Sequence, residues 1–338
     1  MTISPLARPA GVDALTVRGL RVDYGDPGAA IPAVRGIDLD VPAGAIVALL
    51  GESGSGKSAT ARAVLGLDQD GSRIAADEIR IGSTDLLRAS DEQRRRARGS
   101  EVGLVMQDAL SALNPVLSIG RQLGELFEVH LGLSRRKARS RAVEMLGLVG
   151  IPDPARRVDD YPHQFSGGMR QRILIAMAIA LEPTLLIADE PTTALDVTVQ
   201  AQILDLLDDL RMKTDMGVLL ITHDLGVVNE VADRVVVMYA GRVVESGVTA
   251  AVFTHPAHPY TQALLRSVPQ ASGRREDLLT IAGSPPSPRQ VPSGCSFRTR
   301  CRWAVELCAD RRPELAGVAE GRLAACHRSA EVLDVAVG

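Results

Sequence analysis

Short apolar segments alternate along the chain with polar loops and helical patterns. Residues 15–24 and 37–41 alternate apolar and polar positions, which predicts strands with one buried face. Continuous apolar runs of strand length, which predict strands buried on both faces, occupy residues 45–50, 102–106, 184–188 and 218–221. Helical patterns follow at 57–66 and at 119–150. Strands that alternate with helices predict an α/β core with a largely parallel sheet.

The pattern changes near residue 250. Before that point, residues 234–239 and 242–245 predict a hairpin that turns at Ala240-Gly241. After it, prolines become frequent, and we expect little regular structure between residues 256 and 288.

Composition and charge narrow the class of protein. Lys and Arg number 38 and Asp and Glu 41, a net charge of −3, so the basic face of a nucleic-acid-binding protein is not expected. No apolar run approaches the roughly 18 residues of a membrane-spanning helix. The N-terminus lacks the basic and then apolar pattern of a secretory signal. We therefore expect a cytoplasmic protein that reaches a membrane only through a partner.

A glycine-rich loop follows the apolar run at 45–50. It matches the pattern G-x-x-x-x-G-K-[ST] and consists of Gly51, Glu52, Ser53, Gly54, Ser55, Gly56, Lys57 and Ser58. The backbone amides of such a loop face nucleotide phosphates, Lys57 neutralises the β and γ phosphates, and the Ser58 hydroxyl reaches Mg²⁺. A chance glycine-rich turn is the alternative, and the strand before the loop and the helix after it argue against that alternative.

Two adjacent acids, Asp189 and Glu190, end the apolar run at 184–188. Ligands bind beyond the carboxyl ends of strands in open α/β sheets. Asp189 is therefore predicted to hold Mg²⁺, and Glu190 to act as a general base or to orient the attacking water. Exposed acids at an ordinary strand end are the alternative, which the upstream glycine loop disfavours.

A third motif, Ser166-Gly167-Gly168, opens a predicted helix. Ser166 is a natural N-cap, and two glycine amides at a helix start make a second anion site. A simple capped helix would explain the motif alone, but not its position shortly before the acidic strand.

Together these motifs resemble the nucleotide-binding subunits of ABC transporters, over about residues 13–250. The resemblance implies an α/β P-loop NTPase cassette with a RecA-like core, an antiparallel β portion and a helical subdomain at about 108–172. It implies a domain at 1–250 and a small cysteine-containing extension at 251–338. Phe165 and Met169 depart from the commonest signature but leave its serine and glycines in place.

The resemblance also assigns roles to residues within these motifs and beyond them. Ser166, Gly167 and Gly168 bind ATP that the opposite subunit of a head-to-tail dimer holds. Gln107 contacts Mg²⁺ and senses the permease, which the segment 107–115 touches. Asp196 belongs to the loop that crosses the dimer interface, and His223 contacts the γ phosphate. Tyr24 stacks on adenine, with a place in the core as its alternative.

All four cysteines lie in the C-terminal region, at Cys295, Cys301, Cys308 and Cys326. A cytosolic protein has little use for disulfides, so the clustering favours a metal site. Residues 257–265 and 294–301 resemble the C-terminal extension of oligopeptide and dipeptide importer ATPases, in which such cysteines are associated with an iron–sulfur cluster. Four thiolates suit a [4Fe–4S] cluster; zinc and inert thiols remain as alternatives.

These observations predict the ATPase subunit of a bacterial ABC importer for peptides, peripheral on the cytoplasmic face of the cell membrane. The expected partners are a second ATPase subunit, different from this one, two permease subunits and an extracytoplasmic solute-binding protein. A nickel or other small-solute importer remains an alternative. A soluble ABC ATPase of DNA repair or translation is disfavoured by the single cassette, and an exporter by the tail.

Overall fold

The structure, a computed structural model, describes residues 13–26, 28, 30–67, 71–106, 112–193, 195–267 and 281–334. It divides into two compact units, each assembled from separate parts of the chain. The first unit contains the described residues of 1–16, 40–45 and 80–220. The second contains those of 17–39, 46–79 and 221–338.

The described strands are β1 Leu15–Tyr24, β2 Ile31–Val41, β3 Ile46–Leu50, β4 Ser72–Ala75, β5 Glu78–Ile81, β6 Thr84–Asp85, β7 Val102–Val105, β8 Leu185–Asp189, β9 Gly217–Thr222, β10 Arg234–Tyr239, β11 Arg242–Val248, β12 Ala316–Ala319 and β13 Arg322–Ala324. The described helices are α1 Lys57–Val64, α2 Asp91–Ser100, α3 Ile119–Leu131, α4 Arg135–Leu148, α5 Pro154–Arg157, α6 Gly167–Ile179, α7 Val197–Thr214, α8 Leu225–Val231, α9 Thr249–Thr254, α10 Pro259–Arg266, α11 Leu307–Asp310 and α12 Ser329–Leu333. A 3-10 turn covers Pro162–Gln164.

In the first unit, β7 and β8 form a parallel pair whose register runs from Val102 opposite Leu185 to Val105 opposite Ala188. β8 is flanked by β7 and β9, and its residues 185–188 are fully buried, which is why its sequence is continuously apolar. Helix α6 packs against β7, and helices α4 and α7 pack against α6.

In the second unit the strand order is β12, β13, β11, β10, β3. β10 runs parallel to β3 and antiparallel to β11, with a shift of register between Val237 and Met238. β13 pairs antiparallel with β11 at Glu245 opposite Ala324. Because β12 and β13 come from the C-terminal region, that region extends the sheet that carries β3.

One buried apolar cluster lies beside this sheet and contains Ala48, Leu50, Leu225, Val228, Val235, Val237, Tyr239, Val244, Val252, Tyr260 and Phe297. Cys295 and Cys301 pack against it. The rings of Tyr239 and Tyr260 are 4.6 Å apart, and the Phe297 ring is 5.2 Å from Tyr239. Residues of the strand before the glycine loop and residues of the C-terminal region thus share one core.

The predicted strands and the hairpin at Ala240-Gly241 are confirmed, with β2 beginning at Ile31, earlier than its alternation indicated. The expectation of little regular structure after residue 256 is wrong at α10. Pro259 is the first residue of this helix, a position where its missing N–H and fixed φ are favourable.

Across the parts of the chain that the structure describes, no helix combines the length and apolar character needed to cross a membrane.

Candidate functional site

The glycine loop lies between β3, whose five residues are all buried, and helix α1. At Gly51 an added Cβ would lie 2.3 Å from the Met238 carbonyl oxygen, and at Gly56 2.6 Å from that of Ala33. Only glycine allows these close approaches, because no neighbouring backbone atom can move aside cheaply. The loop therefore has the strand–loop–helix context that the sequence predicts for phosphate binding.

Lys57 is the first residue of α1 and is only 7% exposed. Its Nζ donates hydrogen bonds to the carbonyl oxygens of Gly51 at 2.6 Å and Glu52 at 3.0 Å, so the ammonium is held inside the curve of the loop. The N-cap of the helix is Gly56, which offers no capping side chain, and the first turn contains no acidic residue. The positive end of the helix dipole is therefore left for an anion from outside.

Glu52 connects the loop to the C-terminal region through both its side chain and its backbone. Its carboxylate forms a bidentate ion pair with Arg300, at 2.7 Å and 3.0 Å. Its backbone N–H donates to the Tyr260 hydroxyl at 2.8 Å. The ion pair raises the pKa of Arg300 above its usual range, with the hydrogen bond to Glu52 as the main cause.

Two acids stand at the end of β8 in the first unit. Asp189 is the last residue of the strand and Glu190 follows it with φ of 50°. A left-handed backbone is uncommon for a residue with a Cβ, and such strain is concentrated at functional sites. The Thr193 hydroxyl donates to Glu190 Oε2 at 3.0 Å and fixes the direction of the carboxylate.

Helix α6, also in the first unit, begins at the serine-glycine-glycine motif. Ser166 is its N-cap, with Oγ accepting from the Met169 N–H at 3.4 Å, and Ser166 and Gly167 are exposed. Asp196 is likewise the N-cap of helix α7, and its Oδ1 accepts a hydrogen bond from the Val199 N–H at 2.9 Å. Both helix starts therefore have a local structural explanation beside the nucleotide-binding role predicted for them.

Of the other predicted nucleotide-site residues, the structure describes His223 and Tyr24. His223 directly follows β9 and is exposed, and Asp224 caps the next helix. Tyr24 ends β1, opposite Ser72, and is half-buried, which fits either of its two interpretations. Gln107 lies outside the described residues.

The four cysteines form one electrostatic group in the second unit. They are free thiols, and a thiolate at any one of Cys295, Cys301 and Cys308 raises the pKa of a neighbouring cysteine. Burial is the larger cause of the shifts, and it raises the pKa of Cys301 to about 11 and of Cys326 to about 12. Backbone N–H groups nevertheless reach these sulfurs, as at Cys326, which accepts from the Arg328 N–H at 3.4 Å.

The donor set of this group is four sulfurs, which suits soft-metal or iron–sulfur ligation. Within the described ranges, no three metal-ligating side chains are arranged so that they could hold a single ion. His258 is not a member of the set: its Nδ1 accepts from the Tyr260 N–H at 3.0 Å, and burial lowers its pKa to about 3. That side chain is the N-cap of helix α10.

A phosphate loop between a buried strand and a helix, an acidic strand end and a serine-glycine-glycine helix start define the chain as a P-loop ATPase of the ATP-binding-cassette class. Two sequence families match it: "ABC transporter" over residues 34–193, and "Oligopeptide/dipeptide transporter, C-terminal region" over residues 244–308.

Two relatives are similar over 93% and 87% of this chain. The dipeptide transport ATP-binding protein of Escherichia coli is 47% identical over 313 residues, which are 93% of this chain and 96% of that protein. Its Bacillus subtilis namesake is 48% identical over 87% of this chain and 88% of that protein. The chain therefore belongs to the family of ABC transporter ATP-binding subunits, and its activity is ATP hydrolysis.

Solved structures agree with the cassette fold. A dimeric ATP-binding cassette in a post-hydrolysis state, bound to ADP and phosphate, has a TM-score of 0.61 and 26% identity, covering 70% of this chain and 98% of that one. A cassette of the Clostridium perfringens transporter complex cbiONQ has a TM-score of 0.60 and 28% identity, covering 72% and 91%.

Sequence reasoning missed Arg300, Tyr260 and Thr193 as parts of the site. Arg300 and Tyr260 lie in the two C-terminal segments that the family resemblance singled out, but no local pattern connects them to a loop more than 200 positions away. Thr193 lies in the loop named for the dimer interface, and its spacing of three from Glu190 is the only local signal of their contact.

Proposed function

We propose that this chain powers the import of peptides across the cytoplasmic membrane, bound at the cytoplasmic face to two permease subunits. The observation that carries the proposal is the order of two family matches, a transporter cassette at 34–193 followed by a peptide-transporter C-terminal region at 244–308. Relatives that match this chain over 96% and 88% of their own lengths are named for dipeptide transport, which supports peptides as the solute class. We divide the chain functionally near residue 250, between cassette and extension.

The catalytic roles follow the positions of the side chains. Lys57 and the amides of the loop 51–58 hold the β and γ phosphates. Ser58, Asp189 and Gln107 would hold Mg²⁺, which supplies neutralisation of the developing phosphate charge. Glu190, whose carboxylate direction Thr193 fixes, orients the attacking water or removes its proton.

Further contacts come from strand ends and from a second subunit. His223 contacts the γ phosphate, and Tyr24 stacks on adenine. Ser166, Gly167, Gly168 and Asp196 act on ATP that a second subunit holds, in a head-to-tail dimer. A solved cassette similar to this chain is a dimer bound to ADP and phosphate, which supports the dimer. In the importer we propose, the second subunit is a different ATPase.

For the cysteines we propose a [4Fe–4S] cluster held by Cys295, Cys301, Cys308 and Cys326. Support comes from the all-sulfur donor set, from the mutual electrostatic interaction of the thiols and from backbone N–H groups aimed at them. A bound metal centre would supply the positive charge that keeps buried thiolates deprotonated. The chain's own contribution is to order residues 295–301 on the buried aromatic cluster.

Metal analysis tests the cysteine proposal. Protein purified without oxygen should be brown and contain about four iron atoms and four sulfides per chain. A colourless protein with one zinc per chain would show that the cysteines bind zinc instead of a cluster. A metal-free protein with four titratable thiols would exclude both the cluster and the zinc site.

Two measurements test the transport proposal. Crosslinking in native membranes, followed by mass spectrometry, should recover two integral membrane proteins, a second cassette and a solute-binding protein. Uptake of a labelled dipeptide by the same cells should stop with Lys57→Ala. Uptake of nickel in place of dipeptide would correct the solute, whereas recovery of ribosomes or DNA-repair proteins would end the transport proposal.

A further inference from the structure

Glu52 lies inside the phosphate loop, yet its carboxylate is paired with a side chain of the C-terminal region. Arg300 Nη1 is 2.7 Å from Glu52 Oε2 and Arg300 Nη2 is 3.0 Å from Oε1, so the two planar groups meet fork to fork. The Arg300 side chain is 4% exposed and that of Glu52 is 24% exposed. The pair is therefore shielded from solvent, where charges interact more strongly than at a surface.

The backbone of Glu52 connects this ion pair to the phosphate-binding lysine. Its N–H donates to the Tyr260 hydroxyl at 2.8 Å, and its carbonyl oxygen accepts from Lys57 Nζ at 3.0 Å. Side chain, N–H and carbonyl are thus all engaged, two of them by residues of the C-terminal region. A movement of Arg300 or Tyr260 would be passed through one residue to Lys57.

Arg300 is itself fixed by its surroundings. Its Nε donates to the Ala282 carbonyl oxygen at 2.9 Å and its Nη1 to the Tyr239 hydroxyl at 3.4 Å. Its guanidinium lies 5.9 Å from the centre of the Tyr239 ring and 6.0 Å from that of Phe297. It directly precedes Cys301, so the segment that carries the cysteines also carries the partner of the phosphate loop.

We infer that Arg300 is a positioning residue for ATP binding, which holds Glu52 and neutralises its carboxylate beside the phosphates. The inference rests on the proposed role of the loop in binding ATP. Without Arg300, the Glu52 carboxylate would stand unpaired near a triphosphate and repel it, and the loop would lose a fixed point. The ordering of the cysteine segment is thereby connected to nucleotide affinity.

A double variant separates repulsion by the unpaired Glu52 carboxylate from a general loss of ATP binding. Arg300→Gln in the full-length chain should weaken binding of a fluorescent ATP analogue with Mg²⁺ about tenfold or more, the equivalent of one lost charged hydrogen bond. Glu52→Gln added to Arg300→Gln removes the unpaired carboxylate and should recover most of that affinity. Arg300→Lys keeps the charge without the fork and should lie between wild type and Arg300→Gln.

The matched control is Arg298→Gln, two positions earlier in the same segment. The Arg298 side chain is half-buried and donates to the carbonyl oxygen and the hydroxyl of Ser293 rather than to the phosphate loop, so this variant should bind as wild type does. If Arg300→Gln binds normally, or if the double variant binds no better than Arg300→Gln, the pair is mere packing and the inference is overturned. If Arg300→Gln does not fold, the same comparison is made with Arg300→Lys alone and with Glu52→Gln.

A failure of the proposed function would look different. Lys57→Ala should abolish binding of the analogue whatever Arg300 does. Retained binding of the analogue by Lys57→Ala would mean that the loop is not the ATP site. If Lys57→Ala does not bind the analogue but Arg300→Gln binds it normally, the loop remains the ATP site and only the role of Arg300 is refuted.

Discussion

Glu245, on β11, shows how the second unit accommodates a charge in its interior. It has no exposed surface, and its carboxylate accepts from the Ala257 N–H at 2.7 Å, the His258 N–H at 3.0 Å and Arg322 Nη2 at 3.0 Å. Burial is the largest influence on its pKa and raises it, while these donors lower it. Glu245 thereby joins β11 and the start of α10 to β13.

Removing the cation of this buried pair should be costly. We expect Arg322→Met to lower the unfolding free energy by about 3 kcal/mol, because an uncompensated buried charge remains. Thermal unfolding should show a midpoint several degrees lower, and Glu245→Gln in the same chain should recover part of the loss. Arg234→Met removes only a 3.4 Å bond to the Gly321 carbonyl oxygen and serves as control. Equal midpoints for Arg322→Met and Arg234→Met would contradict the expectation.

The same pair predicts a dependence on pH. The folded pKa of Glu245 is raised above its ordinary value of 4.5, so the native state binds more protons than the unfolded state between the two values. That contribution is complete below the unfolded pKa and is lost as pH rises through the folded pKa. Since Arg322 lowers the pKa of Glu245, its removal raises that pKa further. The stability deficit of Arg322→Met should therefore grow as pH rises above the ordinary glutamate value and through the raised folded pKa; a deficit that does not change with pH would contradict this.

Residue by residue, the sequence predicts chemistry better than it predicts partners. The role proposed for Lys57 can be predicted because its motif is local and the lysine lies beside the glycines that define the motif. The Glu52–Arg300 pair spans 248 positions, and no spacing along the chain indicates it. The burial of Glu245 cannot be predicted from the sequence either, because a glutamate in a hairpin strand is expected to be exposed unless its partners are known.

At the scale of elements, the start of α6 is fixed by its packing on α7 as well as by its cap. A Cβ at Gly168 would lie 2.4 Å from Val199 Cγ1. Val199 lies in the first turn of α7 and is β-branched, so it cannot rotate away freely. The close approach of the two helix starts is thus a steric requirement for glycine, separate from any ligand.

Substitutions at Gly168 and Val199 can separate the steric requirement for glycine from the proposed role of Gly168 in binding ATP. Gly168→Ala should lower the thermal midpoint by the equivalent of about 1–3 kcal/mol through overpacking. Val199→Ala in the same chain makes room and should restore most of that stability. If Gly168 also leaves room for an ATP phosphate at the helix start, the added Cβ obstructs that phosphate and ATPase activity stays low in the double variant although its stability is restored. Unchanged stability in Gly168→Ala would show that the helices separate easily and that the steric argument is wrong.

Element prediction succeeds where periodicity is strong and fails where a tertiary contact decides. β8 is visible as a continuous apolar run because it is buried on both faces. α10 was missed because its prolines suggested a loop, although Pro259 begins the helix and His258 caps it. β12 and β13 are short and bear little pattern, since pairing with β11 is what makes them strands.

At the scale of the whole molecule, the glutamate that we propose as catalytic combines a strained backbone with a fixed side chain. Glu190 has φ of 50° and accepts from the Thr193 hydroxyl. A glutamine there keeps the size of the side chain and one acceptor oxygen, so the loop should keep its shape. What it loses is the negative charge that attracts a proton from water.

We therefore expect Glu190→Gln to bind MgATP with wild-type affinity and to hydrolyse it about 10²- to 10⁴-fold more slowly. Because hydrolysis is what would reopen the dimer, this variant should accumulate, with MgATP, as a closed pair with its partner ATPase. Size-exclusion chromatography with light scattering would detect that pair. Glu230→Gln, at an exposed position on α8, should behave as wild type in both assays. Normal turnover by Glu190→Gln would remove Glu190 from catalysis, whereas slow turnover without a stable pair would keep its chemistry and refute the sandwiched dimer.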